Sequence, residues 1–276
     1  MNPPTIAGAL AWARRQIEPL EARLLLRHVC RCTLAHLAAW PEKSLDIPAW
    51  DSFRALVERR ASGEPVAYLL GEREFHGYRF VVTPAVLIPR PETELLVELA
   101  LACCAAQAHA KVLDLGTGSG VLAVSLAMEL DQADVTAVDC SRAALAVAAE
   151  NAATHGAKIN FVHGNWYEAL DGEKFKLIVA NPPYIAADDP HLERGDLRFE
   201  PRAALVAGAS GLDDLAAIAT GAPAHLEQGG YLLMEHGFDQ AEAARGLLAD
   251  AGFMAIASWT DLAGIERVSG GQWRPP

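Results

Sequence analysis

The residues best suited to chemistry are Asn181-Pro182-Pro183-Tyr184, which follow an apolar run from Lys176 to Ala180 that reads as a buried strand. Two prolines cannot extend a strand's hydrogen-bond ladder, so the chain must turn here. The turn leaves a carboxamide and main-chain carbonyls pointing into whatever crevice lies beyond, with an aromatic face after them. Such a set suits a flat NH₂ group, an amide or an aromatic amine, whose delocalised lone pair makes it a poor nucleophile. The side-chain oxygen of Asn181 and the carbonyl of Pro182 can each accept one N–H, and Pro183 and Tyr184 complete the surface on which the target lies. Held this way the nitrogen can rehybridise as it attacks, and preorganised dipoles and near-attack geometry carry most of the catalysis. No strong base is needed, because the proton leaves readily once the nitrogen is alkylated. In isolation an ordinary strand-ending turn would read the same, so the preceding sequence decides.

That sequence holds Asp114-Leu115-Gly116-Thr117-Gly118-Ser119-Gly120, between one apolar run and a helix from Val121 to Met128. Glycines at a strand-to-helix turn let the backbone approach a ligand closely. The spacing is Gly-x-Gly-x-Gly, not the Gly-x-Gly-x-x-Gly of dinucleotide enzymes, which favours a ligand without a pyrophosphate, such as S-adenosylmethionine. Gly116, Thr117, Gly118, Ser119 and Gly120 are therefore candidate cofactor contacts. Asp139 ends the next strand, where an acid accepts ribose hydroxyls and repels a 2′-phosphate. Asn165 and Trp166 end the third strand, where an amide and an indole can bracket an adenine. Asn181 then stands beside the methyl donor. No His, Cys or Asp cluster has metal-ligand spacing, so no metal is expected. His236 beside Glu235 suggests an acid–base pair, but the chemistry needs neither, and both read as structural, as does His191.

The elements that must position these groups alternate along the chain. Val112-Leu113, Val135 to Val138, Ile159 to Val162, Leu177 to Val179 and Leu232 to Met234 are short apolar runs of the kind found in parallel strands covered on both faces, with alanine-rich helical segments between most of them. This is the pattern of an open, doubly wound α/β sheet, whose ligands bind beyond the carboxyl ends of its strands. Phe253 to Ala257 and Ile265 to Ser269 suit a closing antiparallel pair. Ahead of this core (residues 91–276), residues 1–66 read as a helical bundle, with Leu20, Leu24, Leu25 and Val29, then Trp50, Phe53, Leu56 and Val57, at helical spacing. Residues 67–90 turn β-rich from Tyr68 and read as a hairpin linker. A helix opens at Pro91 and runs through Leu99. The polar segment from Ile185 to Gly211 reads as a lid or binding loop, in which Arg198 and Glu200 either pair with each other or touch substrate.

Bulk properties narrow the class. The 276 residues, 51% hydrophobic, suffice for a large core and a satellite unit. A net charge of -12, from 35 acidic against 23 basic residues, argues against a nonspecific nucleic-acid surface. Five cysteines with no Cys-x-x-Cys pair fit free thiols in a reducing compartment. The start shows no signal-peptide pattern, and no apolar run reaches the ~20 residues of a bilayer span, so a cytoplasmic protein is expected.

With these residues in view, the chain resembles the release-factor glutamine N5-methyltransferases (HemK/PrmC-type) over nearly its whole length. Asn-Pro-Pro-Tyr is shared with adenine-N6 methyltransferases and does not decide the substrate. The flanking stretches do: Gly71-Glu72-Arg73-Glu74-Phe75, Leu87 to Glu94, Asp189-Pro190-His191-Leu192, Gly195 to Pro201, and Glu235-His236-Gly237. The resemblance implies a Rossmann-like seven-stranded S-adenosylmethionine-dependent methyltransferase fold, with S-adenosylhomocysteine as product. It implies cofactor contacts from Gly116 to Gly120, Asp139, Trp166 and Asn181, and substrate contacts from Asn181 to Tyr184. The acceptor it implies is the glutamine of a Gly-Gly-Gln tripeptide in a peptide chain release factor, gripped by the helical unit. Asn165 departs from the family, which commonly carries Asp there. An adenine-N6 methyltransferase acting on nucleic acid is the competing reading; it calls for a target-recognition domain and a basic surface, and neither is evident. The chain also contains the tripeptide itself, as Gly270-Gly271-Gln272, near its end.

Overall fold

Helices open the chain: α1 (Ile6–Ala13), α2 (Pro19–Cys30), α3 (Leu34–Ala39), α4 (Ile47–Ala61) and α5 (Val66–Leu70). The computed structural model describes residues 3–105, 109–130, 132–170 and 172–274. Side-chain oxygens of Thr5, Thr33 and Asp46 accept backbone N–H groups at the starts of α1, α3 and α4, satisfying donors that a helix leaves orphaned. Ala9, Ala13, Leu25, Leu26, Phe53 and Val57 form the buried centre of this bundle. Leu20 is 60% exposed, because the buried stripe of α2 runs through Ala22, Leu25 and Leu26, and Leu20 lies off that face. Helix also replaces the expected β structure at Tyr68: Pro65 precedes α5, and Gly71 ends it in the left-handed conformation. The segment His191–Phe199 clusters with residues 1–72 as one unit. Within it Arg60 bonds Glu21 at 2.9 Å and Asp196 at 3.3 Å, and Arg198 donates to the Ser62 carbonyl.

The second unit comprises Arg73–Pro190 and Glu200–Pro276. The hairpin of β1 (Glu72–Phe75) and β2 (Tyr78–Val81) leads to a short 3₁₀ turn at Pro91–Thr93 and then α6 (Glu94–Cys104). Strands and helices then alternate: β3 (Lys111–Leu115), α7 (Val121–Glu129), β4 (Asp134–Asp139), α8 (Arg142–His155), β5 (Ile159–His163) and β6 (Phe175–Ala180). They continue with α9 (Asp213–His225), β7 (Leu226–Glu235), α10 (Ala241–Asp250), β8 (Met254–Thr260) and β9 (Glu266–Gln272). The seven-stranded sheet runs β5-β4-β3-β6-β7-β9-β8, parallel except for the closing antiparallel pairs made by β9. This is the Rossmann-like seven-stranded arrangement. Alternate residues of β3 feed opposite layers: Val112 packs with α6 and α7, while Leu113 and Leu115 join Leu215, Ile218 and Leu248 of α9 and α10. Leu115 lies opposite both Val138 and Ala180, so three strands release their chains at one level.

The tripeptide near the end is locked into β9. Gly270 pairs with Leu233 and Gly271 with Leu232. A Cβ on Gly270 would stand 2.5 Å from the Leu232 carbonyl oxygen, so only glycine fits. The Gln272 amide nitrogen donates to the Gly229 carbonyl at 3.0 Å and to the Tyr231 hydroxyl at 2.9 Å. Both of its hydrogens are committed, which excludes Gln272 as an acceptor in the folded chain.

Phe53 is fully buried, with its ring tilted against Trp12 and Trp50 at centroid separations of 6.4 and 6.3 Å. Phe53→Ala is expected to cost the helical unit about 3–5 kcal/mol. Hydrogen exchange measures this: amides of α2 and α4 lose protection, while those of β3 and β6 keep theirs.

Candidate active site

The carboxyl ends of β3, β4, β5 and β6 enclose a cavity of about 260 Å³ in the second unit. Gly116, Thr117, Gly118, Ser119, Asp139, Asn165, Trp166, Asn181 and Pro183 all line it. Gly120, Pro182 and Tyr184 do not: Gly120 starts α7 against Ala148, Pro182 is buried, and Tyr184 packs into the α9–α10 layer.

Each wall is held by an identifiable interaction. Asp139 accepts Gly118 N–H at 2.9 Å on one carboxylate oxygen and Ser141 N–H at 2.8 Å on the other. It thereby ties the glycine loop to the end of β4 and keeps lone pairs for further donors. Gly116 has φ +73°, and a Cβ there would stand 3.3 Å from the Trp166 ring, so the loop and the indole close on each other only because the side chain is missing. Trp166 lies in the turn after β5 with φ +49°, and it lines the cavity together with Asp214 of α9. Burial, with a smaller push from Asp213, raises the Asp214 carboxyl above its ordinary range, and the indole pulls it back. Asp214 escaped the sequence reading because no motif surrounds it. Asn165 reaches Glu168 at 3.4 Å.

The Asn181 carboxamide is oriented. Its nitrogen donates to the Thr93 hydroxyl at 3.1 Å, while its oxygen is buried and has no hydrogen-bond partner. Behind it lies Glu235, the last residue of β7, fully buried with one oxygen unpartnered. Burial pushes its carboxyl up to about 7; the Thr93 and Tyr184 hydroxyls and Arg267 pull the other way, and Glu92 adds to the rise. Tyr184 donates to Glu235 at 3.3 Å, and burial raises its phenol. The main-chain carbonyl of Tyr184 accepts from the Gln240 side chain at 2.9 Å, which fixes the turn further. Asp114 plays the matching part under the glycine loop, accepting from the Thr117 hydroxyl at 2.7 Å and from Ala123 N–H at 3.2 Å. Burial also lifts its carboxyl to about 7.

Other singled-out residues are structural. His236 donates from Nδ1 to the Gly237 carbonyl at 2.9 Å, leaving Nε2 to accept from Ser269 at 2.8 Å. Glu200 pairs with Arg90 and accepts Ile88 N–H at 3.0 Å, while Arg198 lies over the Phe199 ring. Among the described residues no three His, Cys, Asp or Glu side chains gather as metal ligands, and no helix is long and apolar enough to cross a membrane.

The fold has solved counterparts. The ribosomal protein L11 methylase of Lactobacillus delbrueckii subsp. bulgaricus matches 71% of this chain and 84% of its own, at TM-score 0.52 and 22% identity. The 16S rRNA N2 G1207 methyltransferase of T. Thermophilus, solved with AdoMet and guanosine, matches 74% of this chain and 50% of its own, at TM-score 0.56 and 22% identity. Residues 92–195 match the methyltransferase small domain. Fold and cavity thus define a methyltransferase of the α/β class. Residues 6–71 match the PrmC N-terminal domain. A release factor glutamine methyltransferase of Xylella fastidiosa is 51% identical over 98% of both chains, and one of Bordetella pertussis is 55% identical over 91% of this chain and 94% of its own. The chain belongs to the release factor glutamine methyltransferase family.

Asp114 and Glu235 hold their protons more tightly in the folded chain than in the unfolded one. Between about pH 4 and 7 the folded state therefore binds the extra protons, and their contribution to stability falls as pH rises through that window. Asp114→Asn and Glu235→Gln should each gain in denaturant midpoint, relative to the unsubstituted protein, as pH goes from about 5 to 7.5. A constant difference across that range refutes the assignment.

Proposed function

We propose that this chain transfers a methyl group from S-adenosylmethionine to the side-chain amide nitrogen (N5) of the glutamine in the Gly-Gly-Gln motif of peptide chain release factors. The observation that carries this is the buried, unpartnered oxygen of Asn181, whose nitrogen is already engaged by Thr93. An unpaired acceptor of this kind costs the fold free energy and is resolved by an incoming N–H. A primary amide supplies it.

The residues present fit the cofactor. The glycine loop packs close to Trp166, and both line the cavity, so the indole is available to a planar base bound there. Asp139 lines the same cavity with acceptor capacity for ribose hydroxyls, and the acids Asp139 and Asp214 on the same wall suit a cationic ligand and oppose a phosphate. S-adenosylmethionine supplies, when bound, an electrophilic methyl on a sulfonium. Gly116, Thr117, Gly118, Ser119, Asp139 and Trp166 would hold it in this reading, with Gly120 starting the helix behind them. Asn181 Oδ1 and the Pro182 carbonyl accept the two hydrogens of the target NH₂ and set its lone pair toward the methyl. Positive charge developing on that nitrogen as the methyl passes from sulfonium to amide would strengthen both accepted hydrogen bonds, with S-adenosylhomocysteine as the leaving group and a proton going to solvent. Tyr184 acts from behind, its hydroxyl on Glu235. The helical unit, residues 1–66, docks the release factor. With the segment His191–Phe199 it forms a cleft of about 430 Å³ lined by Arg14, Arg15, Arg60 and Arg198 and by the acids Glu18, Glu21 and Asp196, a surface of mixed charge. The cytoplasm, where release factors act, is the place for this reaction.

The test is transfer of labelled methyl to a purified release factor, to the same factor with its tripeptide glutamine replaced, and to DNA. Label is expected on the first alone; label on either of the others rejects the reading in favour of another residue or a nucleobase. Asn181→Ala should lower kcat on the order of 100-fold or more, with an unchanged thermal midpoint. Full turnover in that variant removes the carboxamide from the mechanism.

A further inference from the structure

The main chain of the turn at 181–184 has few anchors of its own. β6 ends at Ala180, and beyond the turn Ile185 N–H bonds the Leu205 carbonyl at 2.9 Å. Between them, among the described residues, no main-chain hydrogen bond reaches Pro182, Pro183 or the Tyr184 N–H. The prolines fix φ at their own positions, but rotation about their ψ and at Tyr184 is left free. One side chain takes up that freedom. Gln240, at the start of α10, donates from Nε2 to the Tyr184 carbonyl at 2.9 Å and to the Gly211 carbonyl at 3.4 Å. Its Oε1 accepts Gly237 N–H at 2.8 Å, while its own main-chain N–H donates to the Gly237 carbonyl at 3.1 Å. A main-chain N–H on one side and two carbonyls on the other leave this carboxamide a single orientation. The packing is close: a Cβ on Gly211 would overlap the Tyr184 carbonyl oxygen, and one on Gly237 would stand 2.9 Å from Gln240 Oε1. Tyr184 is thus gripped twice from one short stretch of chain, by its hydroxyl on Glu235 and by its carbonyl on Gln240.

We propose that Gln240 is the positioning residue of the acceptor turn, holding the Tyr184 carbonyl and, through it, the Pro182 carbonyl and the Pro183 ring that receive the target amide. This rests on the function proposed above. Neither Gln240 nor Tyr184 lines the cavity, so the effect passes along the main chain. The two ends of the carboxamide do separable work. Oε1 closes the turn from Gly237 into α10, which a glutamate oxygen can also do. Nε2 holds Tyr184, which an ionised glutamate cannot, having no hydrogen to donate.

Gln240→Glu separates the two. Its kcat is expected to fall on the order of 10- to 100-fold, with S-adenosylhomocysteine affinity and the KM for release factor within about threefold. The Gly237 amide should keep its protection from exchange. Gln240→Met, of similar length and without hydrogen bonds, should be as slow and lose that protection as well. In the free protein, the carbonyl ¹³C signals of Tyr184 and of Pro182 should move in both variants, the second although Gln240 makes no hydrogen bond to Pro182. Full turnover in Gln240→Glu overturns the proposal, as does an unmoved Pro182 signal in both variants. Cofactor affinity lost in step with kcat also overturns it, since that marks a collapsed site and not a displaced turn. If the unsubstituted protein methylates no release factor but the Pro182 and Tyr184 signals respond as expected, the proposed substrate falls and the positioning role stands.

Discussion

The arrangement depends on the parallel register of three neighbouring strands. Leu115 of β3 faces Val138 of β4 on one side and Ala180 of β6 on the other. The residues that follow them, Gly116, Asp139 and Asn181, are thereby delivered to the rim of one cavity by main-chain hydrogen bonds, without relying on any long side chain. A slip of one residue in β6 would turn its buried Leu177 and Val179 to the wrong layer and move Asn181 by about 3.3 Å along the strand. The apolar alternation that fills the two layers is therefore also what sets the spacing between donor site and acceptor site.

Behind each functional turn stands a carboxyl that the fold has taken out of water. Asp114 braces the glycine loop through Thr117 and Ala123; Glu235 accepts the hydroxyl of Tyr184 on the other side. Burying such groups is costly, and their raised proton affinity expresses that cost. Asp114 holds Thr117, which lines the cavity, and Glu235 holds Tyr184, which follows the lining residues Asn181 and Pro183. Rigidity is concentrated where the reacting atoms must be held within fractions of an ångström.

Much of this was legible in the sequence, for physical reasons. Parallel strands buried on both faces are continuous apolar runs, so β3 to β7 could be read from composition over a few residues, and glycine spacing marked the one turn where backbone must approach a ligand. Helix α5 was misread because Tyr68, Leu69 and Leu70 are as compatible with a short strand as with a single helical turn, and only the left-handed Gly71 settles the matter. Thr93 and Asp214 were invisible as site residues. Thr93 bonds Asn181, 88 positions away, and Asp214 lines the cavity from α9, and nothing in local spacing records either placement. Glu200 pairs with Arg90, 110 positions away, which local spacing likewise does not record.

The glycine-glycine-glutamine run in β9 carries a lesson about recognition. The same three residues that define the proposed target are woven here into a sheet edge to edge with β7 and β8, their peptide groups spoken for and their carboxamide tethered. A catalyst bearing its own target word escapes self-modification because the word is spelled in a strand. Backbone freedom separates the two settings: a tripeptide on an unpaired loop keeps its carboxamide hydrogens free, whereas one paired into a sheet does not.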